Sequence, residues 1–316
     1  MRFTDRFFEG IIRRYASAAP GASPQETRAR IGFLEAWVSI VSNLLLAGFK
    51  VAFGLYLNSI SLLADAVHTA SDVITSVVVL LGFRAARAPA DAEHPYGHGR
   101  VESIATLIIA MLLVVVGFEF AGSSISRFVG GEAVRGNLAV AAILVLSGVF
   151  KEVLARFSEY LGHKIDSSTL IADGWHHRTD AIASVLVAIA LVASRLGYPK
   201  VDAVLGLAVA MLIVYTGWEL GRKSGSELIG QGAAPVVLSQ ITETVAAIDG
   251  VEGVHGIRLH NYGAGQSLVS LHIEVRQDLH VGESHAIAER VEATLADRMG
   301  IEATVHVEPL ITDVSD

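Results

Sequence analysis

Cysteine is absent from the 316 residues. That excludes disulfides and thiolate metal ligands together, and removes the soft donors that a Cu(I) carrier would use. The first 30 residues contain no apolar core of the kind a secretory leader needs. They hold Arg2, Arg6, Arg13, Arg14, Arg28 and Arg30 instead, and are read as a cytoplasmic tail. No H-E-x-x-H run occurs, which argues against a membrane-embedded metallohydrolase, whose two histidines and general base often come in that form. What the chain has in excess is apolar surface: 52% hydrophobic residues and a mean hydropathy of +0.51. That is too apolar for an ordinary soluble domain. The formal net charge of −8 is mild and is read as ordinary solubility.

A bilayer crossing needs about 20 mostly apolar residues. Six segments qualify, at roughly 33–56, 60–83, 102–125, 137–160, 167–194 and 202–221. The expected organisation is a tail over 1–32, a six-helix transmembrane transport domain over 33–223, and a cytoplasmic metal-binding and dimerisation domain over 224–316. Basic residues near the helix ends set the orientation. Arg84, Arg87 and Arg100 flank the second connection, Lys151, Arg156 and Lys164 the fourth, and Arg222 with Lys223 follows the sixth helix. The opposite side offers only Arg127, Arg135, Arg195 and Lys200. Both termini are therefore expected in the cytoplasm.

Two of the apolar segments carry the pattern D-x-x-H-x-x-x-D, as Asp65/His68/Asp72 and Asp173/His176/Asp180. Residues four apart share a helix face, so His68/Asp72 and His176/Asp180 can each present an imidazole beside a carboxylate. Side by side, the pairs supply two nitrogens and two oxygens, a tetrahedral set for a divalent transition metal, with zinc the first expectation. An acid at mid-membrane costs about 3 kcal/mol on insertion scales, so four of them are not decoration. Under the expected topology the second helix runs inward and the fifth outward. Asp65 and Asp173 would then extend an acidic path to either side of the central set. His177, about 100° around the helix from His176, falls outside that set, and Arg178, about 200° away, is expected to pair with another helix.

These residues resemble the cation diffusion facilitator family of divalent metal transporters, and the resemblance covers nearly the whole chain. It implies that His68, Asp72, His176 and Asp180 form the central transport site. Histidine at these positions is similar to the zinc-preferring members, and manganese-type members tend to use D-x-x-x-D. A further run, Asp91-Ala-Glu-His94-Pro-Tyr-Gly-His98-Gly-Arg100, could bind metal unaided through two histidines four apart with a nearby acid. The resemblance implies a second, shallow site there, made of Asp91, His94 and His98. Some members also clamp their dimer through a base after this motif and an acid after helix six. Arg100 is the candidate base. Residues 228–235 hold no carboxylate, so Glu227 is the only conjectural acid.

From about residue 235 the pattern reads helix 236–248, strand 254–261, strand 267–276, helix 283–298 and strand 302–308. This αββαβ run suits a small α+β domain with helices on one sheet face. The resemblance implies a ferredoxin-like, metallochaperone-like fold that dimerises, with a metal site at His255, His272, His285, His306 and Glu308. Val307 stands where some members supply a further ligand.

The expected function is proton-coupled export of a divalent metal, zinc first, by a homodimer in the cell (inner) membrane. The partners are the metal cation, protons as counter-ion and membrane lipid, with no nucleic acid, no bound cofactor and no enzymatic activity. Iron, manganese, cobalt or cadmium as the main cargo, or a metal-sensing partner subunit with little transport, are the alternatives.

Overall fold

The computed structural model describes residues 8–12, 14, 24–57, 60–130, 138–196, 200–263 and 266–310. Arg2, Arg6, Arg13 and Arg135 lie outside them. The chain divides into two compact units, Met1–Ala88 with Val101–Gly225, and Pro89–Arg100 with Ser226–Asp316.

The first unit is helical: α1 (Pro24–Tyr56), α2 (Ile60–Ser71), α3 (Val73–Ala86), α4 (Val101–Gly130), α5 (Leu138–Lys164), α6 (Ser168–Arg195) and α7 (Lys200–Ile229), whose last residues count with the second unit. Among the described residues, five stretches are long and apolar enough to cross a membrane: Glu26–Tyr56, Asp65–Ala86, Val101–Gly130, Leu138–Ile165 and Ser168–Ala193. The sixth expected segment lies within α7, whose 30 residues span about 45 Å at 1.5 Å each.

Two expectations are corrected. Residues 24–32, assigned to the tail, are the first turns of α1, and Ala29 and Ile31 are buried. The reason is a polar anchor. The Arg28 guanidinium bonds both oxygens of Glu102 on α4 and the carbonyls of Ile165 and Asp166 in the α5–α6 turn. Ser167 Oγ donates to the same carboxylate at 2.5 Å. The second segment, expected as one helix, is interrupted at Asp72. Thr75 Oγ1 donates to the Asp72 carbonyl at 2.6 Å, while the Ser76 amide reaches it only at 3.4 Å. A side-chain hydroxyl thus competes with the helix ladder at the residue that carries a candidate ligand.

Helices α5 and α6 pack closely because glycine faces backbone at their crossing. A Cβ at Gly174 would meet the Ala155 carbonyl at 3.1 Å, and one at Gly148 the Ala181 carbonyl at 3.0 Å. Small residues at such crossings let membrane helices approach.

The second unit contains α8 (Pro235–Ala246), β1 (Gly253–Asn261), β2 (Ser267–Val275), α9 (Val281–Met299) and β3 (Glu302–Pro309). This is the expected αββαβ order. The sheet runs β1-β2-β3, with β1 antiparallel and β3 parallel to β2. The parallel pair needs a crossover, which α9 provides. Odd positions of β2 (Val269, Leu271, Ile273, Val275) are buried with Ile241, Val245, Ile287, Val291 and Leu295, so both helices cover one sheet face. Even positions, His272 and Glu274 among them, face away. Helix α9 is capped by His280, whose N–H donates to Glu283 at 2.9 Å, and by Gly300 in the left-handed region (φ 64°).

Leu271 is fully buried, and its truncation to Ala should cost the second unit about 2–5 kcal/mol. Amide hydrogen exchange on the whole protein should show β2 and α9 losing protection together while α4–α6 keep theirs. Unchanged protection of β2 would contradict this core assignment.

Candidate metal centres

The geometry of the central set begins with the helix interruption at Asp72, set against the unbroken α6. His68 lies in the last turn of α2, Asp72 occupies the interruption before α3, and His176 and Asp180 sit one turn apart on α6. His176 Nε2 lies 3.6 Å from Asp72 Oδ1 and 3.7 Å from Asp180 Oδ2, and His68 Nε2 lies 3.9 Å from Asp180 Oδ1. The ligand atoms of His68, Asp72 and Asp180 fall within 4.8 Å of one another. His176 Nε2 is buried and has no hydrogen-bond partner among the described residues. Thr179 Oγ1 donates to the His176 carbonyl at 2.8 Å. All four sequence-derived residues are therefore brought together, two on the α2–α3 segment and two on α6.

One residue of this set stands elsewhere than the sequence suggests. Lys151, counted among the cytoplasmic flanks, is only 1% exposed. Its ammonium group donates to Asp72 Oδ2 at 2.6 Å and to Asp180 Oδ2 at 2.9 Å. It comes from mid-α5, where the basic run Lys151, Arg156, Lys164 reads as a helix end. The rotation of α5 against α6, which the sequence does not encode legibly, turns the first of the three inward.

The outer acids behave differently from a continuous path. Asp65 pairs with Lys50 on α1 at 2.6 Å, and Lys50 also donates to Thr69 at 2.7 Å. Asp173 is fully buried beside His177, its Oδ2 3.2 Å from His177 Nε2. Glu35 stands in the same buried group. Arg178, as expected, pairs with another helix, through Glu152 and Glu159 of α5. The signal that sequence reasoning passed over is on α1: Glu35, Ser39 and Asn43 recur every fourth residue inside an apolar helix, and all three are at most 1% exposed. That spacing is one polar stripe.

In the loop, Asp91 Oδ1 accepts the backbone N–H groups of His94 (2.7 Å) and Glu93 (3.0 Å). Those bonds, with the nearby His98 and His94 charges, hold its carboxyl below the usual carboxylate range. His94 Nδ1 and His98 Nε2 each stand 3.6 Å from an Asp91 oxygen. His98 Nδ1 lies 3.2 Å from the Pro89 carbonyl, an acceptor only, so Nδ1 carries the proton and leaves Nε2 as a donor atom for metal. Tyr96 stacks on Tyr262 with ring centroids 4.3 Å apart. Arg100 covers the same Tyr262 ring and donates to the Asn261 carbonyl at 3.1 Å. Arg100 is thus engaged within its own unit.

In the C-terminal unit, strand register alone aligns three histidines: His255 opposite His272, and His272 opposite His306. Their rings are 5.1 and 4.8 Å apart on the sheet face away from the helices. Glu308 joins them, 2.7 Å from His272 Nδ1, 3.1 Å from His255 and 3.6 Å from His306. A bulge after His255 accommodates this row. Gly256 there has φ 63°, and a Cβ would approach the His272 ring to 3.0 Å. His285 is the exception: it is exposed on α9, 3.4 Å from Glu289. The helix covers the opposite face of the sheet, so within one chain His285 does not join the cluster.

The His272 hydrogen bond first, then the charges of His272, His255 and His306, hold the Glu308 carboxyl below its ordinary value. Its contribution is therefore present above the unfolded value of about 4.3 and is lost as pH falls through the lower folded value. A carboxyl-carbon shift titration of Glu308 in labelled, metal-free protein should give a midpoint below that of free glutamate. A midpoint at or above it would contradict the hydrogen bond.

Residues 36–229 match the family model described as cation efflux transmembrane domain, and residues 233–310 that of the cation efflux protein cytoplasmic domain. An uncharacterized transporter of Methanocaldococcus jannaschii is 35% identical over 272 residues, covering 86% of this chain and 96% of its own length. Metal tolerance protein 2 of Oryza sativa subsp. japonica is 35% identical over 302 residues, covering 86% of this chain and 77% of its own. The manganese efflux system protein MneS of Bacillus subtilis is 30% identical over 276 residues, covering 87% and 94%. Acid–imidazole pairs on apolar helices, an αββαβ unit and two matched family models converge: the chain belongs to the cation diffusion facilitator family of multi-pass membrane transporters that carry divalent metal cations, and is not an enzyme.

Proposed function

We propose that this chain is a proton-coupled exporter of divalent transition-metal cations, zinc first among them. It works as a homodimer in the cell membrane with both termini in the cytoplasm. The observation that carries the reading is the convergence of His68, Asp72, His176 and Asp180, whose two carboxylates share the Lys151 ammonium. Two imidazoles with two carboxylates suit zinc. The manganese efflux relative keeps manganese as the principal alternative cargo. The orientation rests on Arg84, Arg87, Arg156, Lys164, Arg222 and Lys223, without the buried Lys151.

Imidazole must be neutral to ligate, so metal binding displaces protons, and histidine's ordinary pKa near 6.5 puts that competition in the physiological range. Lys151 adds a second competitor. With its ammonium in place, Asp72 and Asp180 carry a net charge of −1 between them and the lysine. A divalent cation entering beside that ammonium would leave an uncompensated positive charge in a buried site, which is costly. Cargo entry therefore goes with withdrawal of the lysine. A tethered cation of this kind holds the empty ligands together and keeps affinity moderate. A transport site near micromolar, about −8 kcal/mol, releases its metal, whereas a structural site at ~10–16 kcal/mol traps it. The clusters at Asp91/His94/His98 and at His255/His272/His306/Glu308 are proposed as peripheral sites, the second regulating the dimer.

Zinc flux into proteoliposomes under an imposed pH gradient tests the whole reading, with manganese, iron, cobalt and cadmium alongside. Gradient-dependent flux should be lost in Asp180→Ala. Flux independent of the gradient would remove proton coupling, and no flux with any metal would favour a sensing partner subunit. For Lys151→Met, the metal-free protein should lose about 3–5 kcal/mol because two buried carboxylates are left together. Zinc should restore it, so the variant's melting temperature should rise more on zinc addition than the wild type's. An equal rise in both would contradict the tethered-cation role.

A further inference from the structure

We infer that Glu35, Asp173 and His177 form a second intramembrane site for a divalent cation, separate from the central set. The inference takes from the proposed function only the class of cargo.

The three side chains are each 0% exposed, and each offers a ligand atom within 4.8 Å of the others. They come from two helices, Glu35 on α1 and the Asp173/His177 pair, four residues apart, on α6. Several of their atoms lack hydrogen-bond partners, although Asp173 Oδ2 lies 3.2 Å from His177 Nε2. Glu35 Oε2, both Asp173 oxygens and His177 Nδ1 are buried with no hydrogen-bond partner among the described residues. Two remaining atoms are held by hydroxyls, one of them backed by a third. Ser158 Oγ on α5 donates to Glu35 Oε1 at 2.5 Å, Ser39 Oγ on α1 lies 2.7 Å from His177 Nε2, and Ser76 Oγ on α3 lies 2.8 Å from Ser39 Oγ. Three helices thus present carboxylate, imidazole and hydroxyl groups to one buried point, with Ser76 of α3 behind Ser39.

Charge decides what the point is for. Two ionised carboxylates buried together need positive charge beside them; His177 lies 3.2 Å from Asp173, and the buried or half-buried lysines and arginines nearby are held elsewhere. Lys151 is held by Asp72 and Asp180, Arg178 by Glu152 and Glu159, Lys50 by Asp65, and Arg28 by Glu102. A divalent cation with two carboxylates and a neutral imidazole is electrically balanced. The donor set, two oxygens and one nitrogen with hydroxyls in reach, suits zinc and manganese alike. The site is distinct from the central one. The His176 and His177 rings are 5.8 Å apart and about 100° around α6, and His176 faces Asp72 and Asp180 while His177 faces Ser39 of α1. Helix α6 therefore carries two acid–imidazole pairs offset by three residues, giving a cation two stations along one helix.

The test is anomalous scattering at the zinc edge from crystals of the full chain grown with zinc chloride alone. Inductively coupled plasma counting of zinc per chain on the same preparations accompanies it. Wild type should show one peak among Glu35, Asp173 and His177 and another among His68, Asp72, His176 and Asp180. Asp173→Asn should lose the first peak, keep the second, and bind one zinc fewer per chain. Asp180→Asn should do the reverse. Glu35→Gln serves as the second variant if Asp173→Asn does not fold, and should also lose the first peak. A wild-type central peak with none at the second site would overturn the inference and leave Glu35 and Asp173 as a hydrogen-bonded acid pair. A second-site peak unchanged in both variants would overturn the ligand assignment. A second-site peak without a central one would overturn the proposed transport site while supporting this inference.

Discussion

Two ionised carboxylates from different helices cannot share a buried space unless positive charge lies beside them. In the helical unit that constraint is met at Asp72 and Asp180 by Lys151, which bonds both at 2.6 and 2.9 Å. The arrangement ties the α2–α3 junction to α6 through a residue of α5. The local helix chemistry serves it. The Thr75 hydroxyl interrupts the ladder at Asp72, and glycines at the α5–α6 crossing bring Lys151 within reach of Asp180. Elsewhere in the unit the same rule is met pair by pair, at Arg28 with Glu102, Lys50 with Asp65, and Arg178 with Glu159.

The C-terminal unit solves a different problem with a different device. Its polar cluster is exposed, so it needs no buried counter-charge and can be built from strand register. Three histidines occupy equivalent positions on adjacent strands, and Glu308 reaches all three. The loop Pro89–Arg100 belongs to this unit by contact, fixed through the Tyr96–Tyr262 stack and the Arg100 cation over the same ring. A half-buried carboxylate beside three imidazoles and a backbone-anchored one beside two histidines are both favoured in their ionised form.

Much of this was legible because helix and strand periods are local. The four-residue spacing of His68/Asp72 and of His176/Asp180 puts each pair on one face whatever surrounds it, and alternation in Leu-Val-Ser-Leu-His-Ile-Glu-Val separates His272 from the core. Arg178 could be assigned a partner on another helix from its angle alone. Lys151 was misread because a lysine near glutamate and arginine looks like a membrane flank. Its true direction depends on how α5 is rotated against α6. Glu35 was passed over because a single acid in α1 has no motif partner in sequence; its partners, Asp173 and His177, are more than a hundred residues away. His285 was grouped with the other C-terminal histidines although α9 covers the opposite sheet face.

The sequence by itself determined the kind of molecule: apolar helices with acid–imidazole pairs, a separate αββαβ unit, and the residues able to ligate a divalent cation. These follow from composition and from periods of 3.6 and 2, properties of a segment that need no neighbour. Tertiary structure alone decided which charges meet. Whether Lys151 reaches water or Asp72, whether Asp65 meets Lys50, and whether Glu35 joins Asp173 are set by helix rotation and crossing distance. A buried charge depends on every element packed against it, so its partner cannot be read from its own helix.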